Sequence, residues 1–266
     1  MATNRSITHP AARFTDKVAI VTGGAGGLGH RICLGIGAEG GKVAVFDTNS
    51  EAIEQAVADL ISAGIEAVGH LVDVRDSATV TAAVGEVATY FGHLDILIAA
   101  AGGSLATPRD LADISPADLD LVIDVNVKGT FNCAQAVVPH LLSAGGGAIV
   151  TFSSIGGRST SPVTGVPYAA AKAAILGLTR RLAREVGPDG IRVNAVAPGL
   201  FLTGRLQGMF DAMTEVDRAE VLGGIPLGRM PELQECVDPV LFLASDQSSY
   251  ITGAVLDING GRFMAG

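Results

Sequence analysis

From Lys17 onward, short apolar runs alternate with longer stretches whose apolar residues recur at helical spacing. The runs are Val18–Val21, Val43–Phe46, Ala67–Val72, Ile96–Ala99, Ala148–Phe152, Val193–Val196 and Ala254–Ile258. Most are apolar on consecutive residues, the pattern of strands covered on both faces. Between them the spacing predicts helices over Gly27–Glu39, Glu51–Ala63, Ser77–Phe91, Pro116–Leu142 and Val166–Val186. Strand followed by helix, repeated, predicts an α/β fold: a Rossmann-like, doubly wound parallel sheet of about seven strands with right-handed crossovers. Residues 1–14 read as a flexible N-terminal extension and 15–266 as one domain. The stretch 203–224 breaks the rhythm. It fits an ordinary connecting helix or a lid, and the lid is preferred because the preceding strand ends where such sheets bind ligands.

Composition narrows the class. Hydrophobic residues make up 48% of the 266 and aromatics 5%, with no Trp, so the core is built from Ala, Val, Ile and Leu. A net charge of −9 without a Lys/Arg cluster argues against nucleic-acid or anionic-membrane partners. Cys33, Cys133 and Cys236 are odd in number and far apart, without CxxC spacing, and read as buried small hydrophobes in a reducing compartment. His30, His70, His93 and His140 have no partner at metal or triad spacing, so no metal is expected. Met1–Thr15 has no signal-like apolar run and no later stretch is long enough to span a bilayer, which predicts a cytoplasmic protein.

The first strand runs into Thr22-Gly23-Gly24-Ala25-Gly26-Gly27-Leu28-Gly29 and then a helix. Such a turn presents backbone N–H groups and the positive end of a helix to a pyrophosphate, and Gly removes the Cβ that would block the approach. Asp47 closes the second strand, 18 residues past Gly29. Its carboxylate can accept from adenosine ribose hydroxyls and repel a 2′-phosphate, or it can cap the next helix, as Asn49 also can. No Lys or Arg follows it closely, so NAD is expected over NADP. Asp73-Val74 ends the third strand, where Asp73 can bond adenine or cap a helix.

Tyr168 and Lys172 are four residues apart on one helix face, after a strand ending Phe152-Ser153-Ser154. With the glycine turn and Asp47 in the same chain, the sequence resembles the short-chain dehydrogenase/reductase family from about Lys17 to Gly261. The family's TGxxxGxG stands at Thr22, Gly23, Gly27 and Gly29, its YxxxK at Tyr168 and Lys172, its NxxG at Asn126–Gly129, and its PGxxxT at Pro198–Thr203. The resemblance implies a dinucleotide-binding oxidoreductase domain with Asn126, Ser154, Tyr168 and Lys172 as the catalytic set. Ser154 is preferred to Ser153. Tyr168 would pass the proton, and Lys172 would lower the phenol's pKa and bind the nicotinamide ribose. Asn126 would hold a water beside Lys172.

The cofactor set implied is Gly23, Gly27, Leu28, Gly29, Asp47, Asp73, Val74, Gly102, Pro198, Gly199, Phe201 and Thr203, with Tyr168 and Lys172. Ser104, Ser154, Gly156 and Phe210 are placed near the substrate, a small alcohol or ketone whose other pocket residues are largely apolar. Arg158 reads as a contact for an acidic substrate or as a solvated loop residue. The family's NNAG is here Ala99-Ala100-Ala101-Gly102, so two asparagine side chains are missing and local stability is expected to fall more than activity. A homotetramer is implied. Two rival readings remain: an NADPH-dependent carbonyl or 3-oxoacyl-thioester reductase, which Asp47 opposes, and a catalytically silent sensor or scaffold, which the four intact residues oppose.

Overall fold

The computed structural model describes residues 12–160, 163–211 and 213–265. Seven parallel strands form one sheet in the order β3-β2-β1-β4-β5-β6-β7. They are β1 (Val18–Thr22), β2 (Lys42–Asp47), β3 (Ala67–Leu71), β4 (Ile96–Ala99), β5 (Gly147–Phe152), β6 (Ile191–Pro198) and β7 (Val255–Ile258). All seven fall on the predicted runs.

The continuous apolar character of the strands has a visible cause, because alternate side chains feed two cores. Ala19, Val21, Val43, Val45, Ile96 and Ile98 point to one face, which α1 (Gly27–Ala38), α2 (Ser50–Ser62) and a late helix cover. Val18, Ile20, Ala44, Leu97 and Ile149 point to the other, under α3 (Ser77–Phe91), the Gly129–Ser143 helix and the Val166–Val186 helix. Each strand is therefore buried on both sides, as a doubly wound sheet requires.

Three features differ from the sequence expectation. The predicted helix Pro116–Leu142 is α4 (Pro116–Ile123), a π-helical turn at Asp124–Lys128, and α5 (Gly129–Ser143). A single wide turn hardly disturbs apolar periodicity, so the sequence does not announce it. Between β6 and β7, after α6 (Val166–Val186), lie α7 (Arg205–Asp211), α8 (Glu215–Gly223) and α9 (Gln234–Ala244). The first two occupy the expected lid stretch, while α9 carries Pro239, which masks its helical signal. Finally, Phe14 is fully buried and its amide donates to the Glu39 carbonyl at 3.1 Å, while Arg13 pairs with Glu39. The folded body thus begins before residue 15; the first eleven residues of the expected extension lie outside the described residues.

Among the described residues no helix is long and apolar enough to cross a membrane, and no cluster of three or more His, Cys, Asp or Glu could hold a metal. The three cysteines are buried free thiols, and burial pushes those of Cys133 and Cys236 up to about 12.

Candidate active site

The glycine turn sits at the C-terminal end of β1. Gly23 and Gly27 adopt φ +65° and +53°, and a Cβ on Gly29 would lie 2.1 Å from the Gly23 carbonyl oxygen. A side chain there would push α1 off the turn, so glycine is a steric requirement. Asp47 ties the turn to β2: its Oδ2 accepts from the Ala25 amide at 3.2 Å, and its Oδ1 from the Thr48 amide at 2.8 Å. The cap of α2 is Asn49, which accepts from the Ala52 amide, so Asp47 is not spent as a helix cap. A cavity of about 370 Å³ opens beside it, lined by Gly23, Asp47, Asp73, Val74 and Gly102 among others. Asp73 is held by Arg75 at 2.9–3.0 Å through Nε, which keeps its carboxyl below the usual carboxylate range. Asp76, and not Asp73, caps α3. Leu28 packs against the core below the turn.

The loop after β4 lacks the two asparagines of the family pattern, yet its backbone is held. The Ala101 amide donates to Thr22 Oγ1 at 3.0 Å. Asn126, in the π turn and 1% exposed, clasps Gly103 from both sides. Its Oδ1 accepts from the Gly103 amide at 3.0 Å, and its Nδ2 donates to the Gly103 carbonyl at 3.0 Å and to the Val122 carbonyl at 2.9 Å. Both N–H donors are thereby used, and the side chain is left with one Oδ1 lone pair for anything beside Lys172. Gly102 has φ +148°, and a Cβ there would lie 2.4 Å from Asn126 Oδ1 and 3.4 Å from Lys172 Nζ.

Ser154, Tyr168 and Lys172 converge at the end of β5. The turn Ile155–Gly157 packs flat on α6, where a Cβ on Gly157 would lie 2.5 Å from the Lys172 carbonyl carbon. Ser153 Oγ donates to the Lys172 carbonyl at 2.7 Å and so belongs to the scaffold. Ser154 Oγ accepts from the Gly156 amide at 3.1 Å, which leaves its own hydrogen free to donate, and it is in hydrogen-bonding contact with the Tyr168 phenol. Lys172 is 4% exposed; its Nζ donates to the Phe152 carbonyl at 2.8 Å and lies 5.6 Å from the Tyr168 ring centre.

Burial drives both ionisable groups toward their neutral forms. Desolvation raises the Tyr168 phenol, against the Ser154 hydrogen bond, and lowers Lys172 to about 8. The sequence expectation assigns the lowering of the phenol to two positive groups, the Lys172 ammonium and an oxidised nicotinamide ring; in the chain by itself desolvation prevails and the phenol is raised.

Ser154 and Tyr168 face a cavity of about 370 Å³, which Ser104, Leu105, Val163 and Thr203 also line, while Lys172 lies buried behind them. Gly156 and Phe210 are not among its lining residues; Gly156 acts through its amide on Ser154. Gly199 and Thr203 reach this cavity, whereas Phe201 is buried in the core and lines a neighbouring one of about 230 Å³. Thr203 lies 3.8 Å from the position of a Cβ on Gly27, so the segment after β6, which ends at Pro198, crosses above the glycine turn.

Arg158 is neither solvated nor turned to a ligand: its guanidinium pairs with Asp257 at 3.3 Å and stacks over Phe263 at 5.2 Å. Sequence reasoning missed Arg262, which lines both cavities. It also missed Ala106, which with the expected pocket residue Leu105 shapes the rim at φ values of 60° and 53°.

A nicotinamide dinucleotide fits this cradle: the turn leaves no room for a Cβ at Gly24 or Gly29, its amides open at a helix start, and the Asp47 carboxylate stands at the end of β2. A family model described as enoyl-(acyl carrier protein) reductase matches residues 23–262. The chain is 40% identical over 253 residues to an uncharacterized short-chain type dehydrogenase/reductase of Sinorhizobium fredii, covering 93% of this chain and 98% of that one. The chain belongs to the short-chain dehydrogenase/reductase family. A 3-oxoacyl-[acyl-carrier-protein] reductase of Staphylococcus aureus is 38% identical over 249 residues, covering 93% and 98% of the two chains. The crystal structure of an NAD+-bound xylitol dehydrogenase superposes with a TM-score of 0.87 at 31% identity, covering 93% of this chain and 99% of that one. Family membership makes this chain a nicotinamide-dependent oxidoreductase acting on an alcohol or ketone group.

Proposed function

We propose that this enzyme interconverts a secondary alcohol and its ketone with NAD(H), using Tyr168 as the proton-transferring group. The observation that carries the reading is the convergence of Ser154, Tyr168 and a buried Lys172 at the end of β5, with Ser154 and Tyr168 on the wall of one cavity. When bound, NAD(H) supplies or accepts the hydride. Gly23, Gly27, Gly29, Asp47, Val74, Gly102, Gly199 and Thr203 would hold it, with Lys172 at the ribose. Ser154, whose oxygen is fixed by the Gly156 amide, donates its hydrogen to the substrate oxygen and steadies charge there. In reduction Tyr168 Oη gives its proton to that oxygen, the direction favoured by a phenol held neutral. Oxidation runs the proton back, with the Lys172 ammonium as the chain's own compensation for phenolate. Asn126 acts on this centre by clasping the Gly103 backbone.

NAD is preferred to NADP because the Asp47 carboxylate stands at the end of β2 and Arg75, the basic residue lining that cavity, is taken by Asp73. That choice sets aside the rival reading as an NADPH-dependent thioester reductase. The enzyme is read as a cytoplasmic homotetramer without nucleic-acid or membrane partners. Phe131 on α5 and Val166 on α6, 51% and 57% exposed, are apolar positions suited to contact between subunits.

Two measurements test the reading. NADH formation with a panel of cyclic alcohols, sugars and hydroxy acids should exceed NADPH formation, and a preference for NADP would overturn the cofactor assignment. Tyr168→Phe should keep NADH binding by fluorescence while kcat falls about 10²–10⁴-fold; turnover near wild type would overturn the mechanism.

A further inference from the structure

Three arginines that are partly withdrawn from water find acceptors inside the chain. Arg13 pairs with Glu39 and Arg158 with Asp257. Arg192 donates to the Leu243 and Ser245 carbonyls at 2.8 and 2.9 Å. Arg262 breaks the pattern. It is partly buried, and among the described residues its guanidinium has no ion pair and no hydrogen-bond acceptor, although the chain carries a net charge of −9. The bend that delivers it is well built: Asn259 Oδ1 accepts from the Gly261 and Phe263 amides, and the Arg262 amide donates to the Asn259 carbonyl at 3.2 Å.

Arg262 lies on the wall shared by two cavities, and one of them is the cavity of Ser154 and Tyr168. Among the described residues that line that cavity Arg262 is the sole charged side chain; the rest are glycines, hydroxyls, aliphatics and the phenol. A partly buried cation with no counter-charge costs free energy unless an anion meets it. The planar guanidinium fork matches a carboxylate in two parallel hydrogen bonds. Arg158, the other arginine near Ser154 in sequence, is paired with Asp257 and does not line this cavity.

We propose that Arg262 seats a carboxylate of the substrate, so that the substrate is a hydroxy acid, or its keto acid, whose carbinol and carboxylate occupy this one cavity. This rests on the reading of the cavity as the substrate site of an alcohol oxidoreductase. The carboxylate takes no part in the bond changes; it fixes which carbon faces the Tyr168 phenol.

The test compares hydroxy acids with their own methyl esters, such as 3-hydroxybutyrate and 4-hydroxycyclohexanecarboxylate with the corresponding esters. In the wild-type enzyme the acids should exceed the esters at least tenfold in kcat/KM. Arg262→Gln should collapse that ratio about tenfold or more, mainly through KM of the acid, and Arg262→Lys should restore part of it. Equal kcat/KM for acids and esters in the wild type would overturn the proposal. So would an Arg262→Gln variant in which acid and ester slow alike through a raised KM for NAD, since the cofactor's phosphates would then be the anion served. Calorimetric titration of the protein with the same acids and esters separates this from the reaction itself. If no alcohol in either form reduces NAD, the oxidoreductase reading fails. Acid binding that Arg262→Gln abolishes would still support the anion site, and no preference for acids would end it.

Discussion

Replacing the buried lysine by a neutral residue of similar length gives the sharpest energetic test of the site. Lys172 is 4% exposed, and burial lowers its pKa from 10.5 to about 8. At 1.36 kcal/mol per pH unit the difference corresponds to about 3 kcal/mol. The sign follows from proton counts. Between pH 8 and 10.5 the unfolded chain holds a proton on Lys172 that the folded chain has released, so stability rises with pH across that window. Below pH 8 the full cost of burying the ammonium is present; above 10.5 it is gone.

In Lys172→Met the cost is absent at every pH. The variant also loses the hydrogen bond to the Phe152 carbonyl, worth about 1–3 kcal/mol with a buried acceptor left unpaired. An ammonium donates more strongly than a neutral amine, but that difference is already contained in the folded-state pKa, so the loss adds no further pH dependence. It offsets the two stability curves without changing their slopes. Urea unfolding of both proteins from about pH 7 to pH 11 should therefore show the wild type gaining about 3 kcal/mol on the variant, most of it between pH 8 and 10.5. Curves that stay parallel within about 1 kcal/mol would mean that Lys172 titrates at its ordinary value in the fold, and the account of the centre as a desolvated pair would be wrong.

Two further predictions concern the frame around that centre. Gly102→Ala places a methyl 2.4 Å from Asn126 Oδ1 at φ +148°, so it should cost about 2–4 kcal/mol in denaturant unfolding and raise KM for NAD; a neutral substitution would show that the Asn126 clasp is slack. Phe14→Ala removes a fully buried side chain and should cost about 3–5 kcal/mol by thermal or chemical unfolding, whereas an unchanged Tm would return Phe14 to the status of a tail residue.

The parts of the fold visible in the sequence are those where one local pattern has one cause. Each strand is apolar throughout because its alternate residues enter two cores, so all seven could be found without knowing their neighbours. Helix α6 was predicted with the observed bounds, and its tyrosine and lysine one turn apart needed no tertiary information. The π turn at Asp124–Lys128 and the Pro-bearing α9 were hidden because each departs from the local rule that would reveal it. The charge on the cavity of Ser154 and Tyr168 was hidden for another reason. Arg158 is close in sequence to Ser154 and drew attention, but Asp257 on β7 captures it; Arg262, more than ninety residues further along, is carried to the cavity by the bend after β7. Which arginine is free is decided by where the seventh strand lies, and a sequence does not display that.

The loop at Ala99–Ala101 shows the same limit from the other side. Missing asparagine side chains suggest a weakened loop if each side chain is assigned the job its family relatives give it. In the fold, the requirement belongs to the backbone: the amides and carbonyls of 101–103 need partners, and it does not matter which side chain supplies them. Thr22 serves Ala101, and Asn126 serves both sides of Gly103 from a π turn whose extra residue brings it within reach. Ala99 meanwhile is buried in the second core, 3% exposed, where a polar amide would need partners of its own. The alanines are therefore consistent with a loop whose polar work has moved to its neighbours. The same move commits Asn126: both amide hydrogens are spent on the loop and on Val122, and one Oδ1 lone pair is what it can still offer a group beside Lys172.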